Sequence, residues 1–381
     1  MGGVEMSEWK KVKLGDVANY VNEKIDIKAF DTSLYISTDS MLKDKGGIGT
    51  PESIPESGKV TKYQHKDILV SNIRPYFKKI WFSNREGGCS NDVLVFRAND
   101  NIDSTFLYYV LSDDSFFDHI MSGANGTKMP RGNKKLIPSF EIPLPPLATQ
   151  HRIATILSRY DLLIENYQKQ IKLLEEAAQR LYKEWFIDLH FPGHENTNII
   201  NGVPEGWEKK NLENFCNVFT GKKNANAAEL NGKYKFFTCS DTPLQINSFI
   251  YDGAAILISG NGSYTGRTTF YEGKFDLYQR TYACTIKENV NPILIYGLYE
   301  AVKCELTTQI SGGTHGAAIP YIVMADVTHF NFLFNENIML KFSEIMKCNL
   351  SQILSLQSQL RLLTEARDRL LPKLMSGEVV V

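Results

Sequence analysis

The chain has 381 residues, 42 Lys plus Arg against 43 Asp plus Glu, and 43% hydrophobic residues. At about 150 residues per domain that length allows two or three domains, and the apolar share excludes wholesale disorder. A net charge of -1 excludes a uniformly basic, histone-like nucleic-acid binder, though not a basic face balanced by acid elsewhere.

From the N-terminus, Glu8-Trp9-Lys10-Lys11-Val12-Lys13-Leu14 opens the first globular segment without the apolar core of a signal peptide. Asp67 to Ser71 and Asp92 to Phe96 are short apolar runs with polar flanks, which predict strands; Ser104 to Leu111 predicts a helix. Arg74-Pro75-Tyr76-Phe77-Lys78-Lys79 follows the first strand directly. Ser122 to Lys135 is glycine-rich and carries Lys128, Arg131, Lys134 and Lys135, with Asn133 among them. Glycines let a backbone approach a phosphate chain, Lys and Arg neutralise it, and Arg and Asn address base edges.

Ile142-Pro143-Leu144-Pro145-Pro146-Leu147 is a rigid lead-in, with Thr149 expected as the N-cap of a long helix. Along that helix apolar or aromatic residues fall at Ile153, Leu157, Tyr160, Ile164, Tyr167, Ile171, Leu174, Ala178, Leu181 and Trp185. The steps alternate four and three, which is a heptad seam. Phe191-Pro192-Gly193 is expected to stop the helix, and the same break parts His190 from His194, so no metal site is expected there.

The second half repeats the first. Gly206-Trp207-Glu208-Lys209-Lys210-Asn211-Leu212 echoes the Trp9 to Leu14 phrase, and Ala254 to Ile258 and Tyr282 to Ile286 predict strands. Polar loops recur: Lys222 and Lys223 after Gly221, then Gly260 to Arg267 with Asn261 and Tyr264, then Ser311 to Gly316 with Thr314 and His315. A second stripe lies 189 residues beyond the first, at Phe342, Met346, Asn349, Ile353, Leu356, Leu360, Leu363, Arg367, Leu370 and Leu374. Only Asn349 and Arg367 break it, and one buried Asn can fix register. Two stripes in matching register predict that the helices pair with each other, each about 60 Å long. Pro372 should kink or fray the second helix and Gly377 should end it.

The expected architecture is a mixed α/β (α+β) chain with a pseudo-twofold internal repeat. A head at residues 1–146, a helix at 147–190, a second head at 191–338 and a second helix at 339–381 follow one another, the helices pairing as a coiled coil. No glycine-rich methyltransferase motif, Asn- or Asp-Pro-Pro-aromatic tetrapeptide or P-loop is present. Asp252 with Glu272-Gly273-Lys274 meets a magnesium-nuclease pattern only loosely and reads as surface charge. The six cysteines form no CxxC pair, so free thiols of a cytoplasmic protein are expected, and no apolar run reaches membrane-spanning length.

Head, heptad helix, head, heptad helix resembles the specificity subunit of Type I restriction–modification systems. Ile142 to Ile153 looks like that family's junction between target-recognition domain and conserved region. Asp67-Ile68-Leu69-Val70-Ser71-Asn72-Ile73-Arg74-Pro75 is similar to a segment of its recognition domains, and Leu370 to Glu378 to its usual ending. The second junction departs from the pattern, with Phe332-Leu333-Phe334-Asn335-Glu336-Asn337-Ile338 in place of a Pro-rich lead-in.

The resemblance implies a non-catalytic chain whose two heads are target-recognition domains, each reading one half of a split double-stranded DNA site. The paired helices, forming an antiparallel coiled coil, would set the gap and dock two methyltransferase subunits, with restriction subunits as further partners. S-adenosylmethionine, ATP and magnesium would belong to those partners, and none to this chain. Lys128, Arg131, Lys134, Lys222 and Lys223 would mainly bind phosphates; Arg74, Asn133, Arg267 and His315 would address bases. Tyr76, Lys78, Lys79, Lys135, Asn261, Tyr264 and Thr314 complete the candidate DNA-binding set. Two other classes compete: an orphan, regulatory DNA-binding specificity protein, and a coiled-coil scaffold that never touches DNA.

Overall fold

A computed structural model describes residues 9–126, 128–311 and 321–381. By packing, the chain divides into two compact units, Met1–Asn166 with Leu360–Val381, and Tyr167–Gln359.

The first unit opens with β1 (Lys10–Lys13) and a single turn, α1 (Leu14–Val17). Then come β2 (Ala18–Tyr20), β3 (Lys24–Asp26), β4 (Lys59–Tyr63), β5 (Ile68–Ser71), β6 (Ile80–Phe82), β7 (Gly87–Cys89) and β8 (Val93–Ala98). Helices α2 (Ser104–Leu111) and α3 (Asp114–Ser122), strand β9 (Glu141–Leu144) and the start of the long helix α4 (Leu147–Tyr182) follow. The two strands and the short helix expected between Asp67 and Leu111 are therefore present. Four strands pair antiparallel in the order β2-β8-β5-β6, three in the order β3-β4-β7, and β1 clasps β9.

All four positions of β5 are buried, and its three apolar residues in a row fit a strand covered on both faces. Ile68 and Val70 pack with Phe106, Phe116 and Phe117 from the helices, while Leu69 packs with Met41 and Tyr63 on the other side. Asp103 caps α2, its carboxylate accepting from the Phe106 amide at 2.8 Å. Asp67, 1% exposed, accepts two parallel bonds from Arg97, at 2.8 and 2.7 Å, and one from the Gln64 amide at 2.8 Å. That fork satisfies a carboxylate that burial would otherwise strongly disfavour.

The second unit contains β10 (Ile199–Ile200), β11 (Val203–Pro204), β12 (Glu208–Asn211), β13 (Cys216–Thr220), β14 (Tyr234–Phe237) and β15 (Leu244–Ile246). It continues with β16 (Tyr251–Ser259), β17 (Thr268–Leu277), β18 (Thr281–Ile286), α5 (Leu294–Ser311), α6 (Met324–Thr328) and β19 (Asn331–Phe334). The second long helix is α7 (Glu336–Ser376). A six-stranded sheet has the order β13-β18-β16-β17-β14-β15. Its first four strands repeat the order and antiparallel sense of β2-β8-β5-β6, so β16 is the counterpart of β5. The opening repeat has a structural counterpart as well. The strands after Trp9 and Trp207 pair with the strands that lead into α4 and α7, at β1·β9 and β12·β19. A Pro-rich phrase and Asn331–Phe334 do the same job because ladder bonds come from backbone rather than side chains.

In each unit the long helices run antiparallel. In the first, Arg152 of α4 donates to the Val381 carbonyl at 3.2 Å and Asp161 pairs with Arg367 at 2.7 Å, one number rising as the other falls. In the second, Asn349 donates to the Leu174 carbonyl at 3.1 Å, while Tyr182 and Phe186 pack on Phe342. Ile153, Leu157, Ile164 and Ile353 are buried; Tyr160, Tyr167, Ile171, Leu174, Leu181, Leu356, Leu360, Leu363 and Leu370 are half-buried. The heptad stripe is thus the covered stripe.

The helix ends differ from expectation. α4 begins at Leu147, so Thr149 is no N-cap; the Thr149 and Gln150 amides donate to the Pro146 carbonyl inside the first turn, at 2.8 and 3.0 Å. It stops at Tyr182, short of the Phe191-Pro192-Gly193 stop. A π-turn at Lys183–Ile187 then leads to Leu189, at φ 61°. The wider turn serves an aromatic cluster, with Phe186 stacked on Tyr182 at 5.0 Å and edge-on to Trp207. α7 begins at Glu336 because Asn335 caps it, its side chain accepting from the Ile338 amide at 3.1 Å. It continues through Pro372 to Ser376, and Gly377, at φ 77°, ends it. Among the described residues no helix is long and apolar enough to cross a membrane. Cys89, Cys216 and Cys284 are buried free thiols, and burial pushes Cys89 and Cys216 up to about 12.

Candidate nucleic-acid interface

In the first unit three loops far apart in sequence are knit by backbone hydrogen bonds. β5 runs into a tight reversal in which Arg74 and Lys78 take left-handed backbone, φ 48° and 49°, around the turn Pro75–Phe77. Such conformations cost a non-glycine residue roughly 1 kcal/mol each and persist where surroundings enforce them. The Arg74 amide donates to the Pro130 carbonyl at 2.8 Å and the Gly132 amide to the Asn72 carbonyl at 3.2 Å. The two loops read separately in the sequence therefore form one surface. A third loop joins them, its Asp44 and Lys45 amides donating to the Phe77 and Lys78 carbonyls at 2.9 and 3.0 Å. It contributes Lys43 and Lys45, which the sequence reading passed over; the signal was a charged turn ahead of a Gly-Gly pair.

Individual cations in this cluster have different attachments. Lys78 bonds Asp114 at 2.7 Å, which holds its ammonium above lysine's ordinary value, and Lys45 shares that carboxylate at 3.2 Å. Lys79 donates to the Thr38 carbonyl at 2.6 Å, and burial pulls its pKa down. Arg131 reaches Asp92 at 3.2 Å and Lys134 the Asn91 carbonyl at 3.5 Å. Asn133 spends its side-chain oxygen on the Lys135 amide at 3.0 Å, a turn-forming bond. Lys128 and Lys135 are exposed, as is Tyr76, whose ring meets Phe77 edge-on. Arg74 Nε and Asn72 Oδ1 are buried without a hydrogen-bond partner.

In the second unit the Gly260 to Arg267 loop joins β16 to β17, as the Arg74 loop joins β5 to β6. Arg267 lies over the Tyr264 ring at 5.5 Å and donates to the Ser240 carbonyl at 3.4 Å. The Gly260 amide bonds the Arg280 carbonyl at 2.8 Å, and the Gln279 amide the Lys223 carbonyl at 3.0 Å. Asn261 bridges to Tyr321. Four loops, carrying Lys222, Ser240, Arg267 and the unexpected Arg280, are thus tied together. Gly221 is obligatory here, since a Cβ would lie 1.7 Å from the Leu277 carbonyl oxygen. Lys222 is exposed, but Lys223 turns inward to Asp276 at 2.8 Å and to Ser248. Burial pushes the Asp276 carboxyl up, yet bonds from Lys223, Ser248 and the Leu277 amide together hold it below the usual range. Lys223 is thus a half-buried cation already paired within the head. Thr314 and His315 lie outside the described residues.

Each unit therefore presents a rigidly tied set of ammonium, guanidinium, amide and phenol groups, the chemistry that meets phosphates and base edges. Among the described residues no three His, Cys, Asp or Glu are grouped to hold a metal ion.

A family profile described as Type I restriction modification DNA specificity domain matches residues 6–176 and 204–333. The MjaIX specificity subunit of Methanocaldococcus jannaschii is 28% identical over 309 residues, covering 74% of this chain and 70% of that protein. The EcoDI specificity subunit of Escherichia coli is 34% identical over 184 residues, covering 46% of this chain and 39% of that one. Among solved structures, the S subunit of a Type-I restriction-modification system from M. genitalium matches over 98% of both chains with a TM-score of 0.70. At 17% identity that last match is a likeness of fold.

Proposed function

Because the chain belongs to the Type I restriction modification DNA specificity family, we propose that it reads a bipartite double-stranded DNA site, one half per head, and does no chemistry itself. The observation that carries this reading is the equivalence of the two arginine loops. Arg74 and Arg267 leave counterpart strands, β5 and β16, and each is surrounded by further cations and a tyrosine. Arg74, Arg267, Asn261 and Tyr264 would address bases. Lys128, Arg131, Lys134, Lys135, Lys222 and Arg280 would hold phosphates.

The antiparallel helices would set the gap between half-sites, with Asn349–Leu174 and Asp161–Arg367 fixing their register. Methyltransferase subunits would dock on the outer faces of these helices, where Leu162, Leu173 and Leu362 stand exposed. S-adenosylmethionine, ATP and magnesium would belong to those partners and to restriction subunits, and a DNA substrate places the complex in the cytoplasm. The test maps methylated adenines in a host with and without this chain and its methyltransferase. A two-part motif that disappears with the chain is the expected result. A motif that persists unchanged would overturn the reading.

A further inference from the structure

In the second unit an open cleft of about 320 Å3 is lined by Lys233, Tyr234, Lys235, Gln245, Tyr271 and Lys274. Three lysines and no carboxylate line it. Among the described residues none of the three is in an ion pair. Asp252 stands opposite Lys274 in the β16–β17 register without bonding it, and the nearby Glu229 is engaged by Asn247. Lys274 instead rests over the Phe249 ring at 4.8 Å and the Tyr234 ring at 6.0 Å, which keeps its charge at the surface. Ammonium groups gathered with no carboxylate in the lining and none bonded to them leave the cleft net positive, so it favours an anion.

We propose that this cleft holds backbone phosphates of the DNA flanking the half-site read by the second head; the inference rests on the recognition role above. Continuity with the candidate interface supports it. β14 and β15 form a hairpin whose connecting loop, Thr238 to Pro243, meets Arg267 through Ser240, while the cleft lies toward the other end of the hairpin. A four-residue strand spans about 13 Å, or roughly four base-pair rises of 3.4 Å. The cleft therefore extends contact beyond the bases read, and without regard to sequence. β14 and β15 add to the four-strand order shared by both heads, so this extension belongs to the second head's sheet.

The test compares the full chain, assembled with its methyltransferase subunit, with the variant Lys233→Gln/Lys235→Gln/Lys274→Gln in duplex binding over a range of salt. The slope of log affinity against log salt should fall by up to about 2–3, since each phosphate neutralised contributes roughly 0.9. The methylated motif should stay the same, and circular dichroism of the variant should match the parent. A parental slope, with Arg267→Ala still weakening binding, overturns the cleft and leaves the recognition reading intact. If Arg267→Ala is also without effect, recognition by the second head fails too. A titration with inorganic pyrophosphate separates the remaining source. Saturable binding lost in the variant, with the DNA slope unchanged, would make this a free-polyphosphate site and overturn the proposal.

Discussion

Lysines on the two heads divide by what their ammonium groups already hold. Lys223 is bonded to Asp276, which is 3% exposed, so Lys223→Ala would leave a buried carboxylate without its cation. Ser248 and the Leu277 amide still bond that carboxylate, so the expected cost is about 1–2 kcal/mol of stability, seen in denaturant unfolding, with the salt slope of DNA binding unchanged. Lys134 and Lys135 are exposed, and changing both to Ala should weaken binding to all sequences alike and lower the salt slope by about 2. Arg74→Ala and Arg267→Ala should each cost about 1–3 kcal/mol on one half-site and leave the other intact; a competition assay with half-site variants reads this directly. The sequence showed where cations were dense. It did not show which were neutralised, because Asp276 lies 53 residues from Lys223 and Asp114 lies 36 from Lys78.

Buried acids give a second prediction at this scale. Burial pushes the Glu300 and Glu305 carboxyls above their ordinary 4.5, and one oxygen of Glu300 has no hydrogen-bond partner. A folded-state pKa above the unfolded one means that the folded chain binds the proton more tightly. The contribution is full below about 4.5 and is lost as pH rises through the raised value. Glu300→Gln should therefore stabilise the chain at neutral pH, on the order of 1 kcal/mol, and do little near pH 4; melting curves at both pH values check it.

At the scale of elements, the two polar breaks in the second heptad stripe acquire a purpose. Asn349 crosses to a carbonyl of α4, and Arg367 meets Asp161, which also accepts from Tyr109 of α2 at 2.6 Å. Head and both helices of the first unit are therefore joined through one carboxylate. Asp161→Ala should lose about 2 kcal/mol, and Asp161→Ala/Arg367→Ala less than the sum of the single losses, as a double-mutant cycle of unfolding would show. Periodicity revealed both helices and their seam because burial on one stripe repeats locally. Their ends were harder to read. The stop at Tyr182 depends on how Trp207 and Phe342 receive Phe186, a contact between distant segments. The cap at Asn335 was legible in principle, an Asn before the first helical residue, but no expected pattern marked that junction.

For the whole molecule, the repeat gave the fold away while its closure stayed hidden. Apolar runs identified β5, β8, β16 and β18, whereas the pairing of β1 with β9 joins distant residues, in register pairs such as Lys10 with Leu144. Net charge said little, since cations are concentrated on a few loops. Replacing residues 1–146 with another head should change one half of the methylated motif and keep the other. The donor must supply an apolar face like that of Phe106 and Leu107, which packs with Ile153, Leu157 and Leu374. A change in both halves would show that the heads do not read independently.

Leu374 is fully buried in the first unit, and the Trp9 ring lies against Gly377, 3.3 Å from where a Cβ would stand. During translation this places the first head's completion last. A nascent chain that has emerged only to Gln359 holds every residue of the second unit, while the core around Ile153 and Leu157 in the first still lacks Leu370, Leu371 and Leu374. A chain shortened to residue 359 should accordingly yield to limited proteolysis in its N-terminal half and resist in the remainder. A premature stop codon late in the reading frame would spoil the head encoded first.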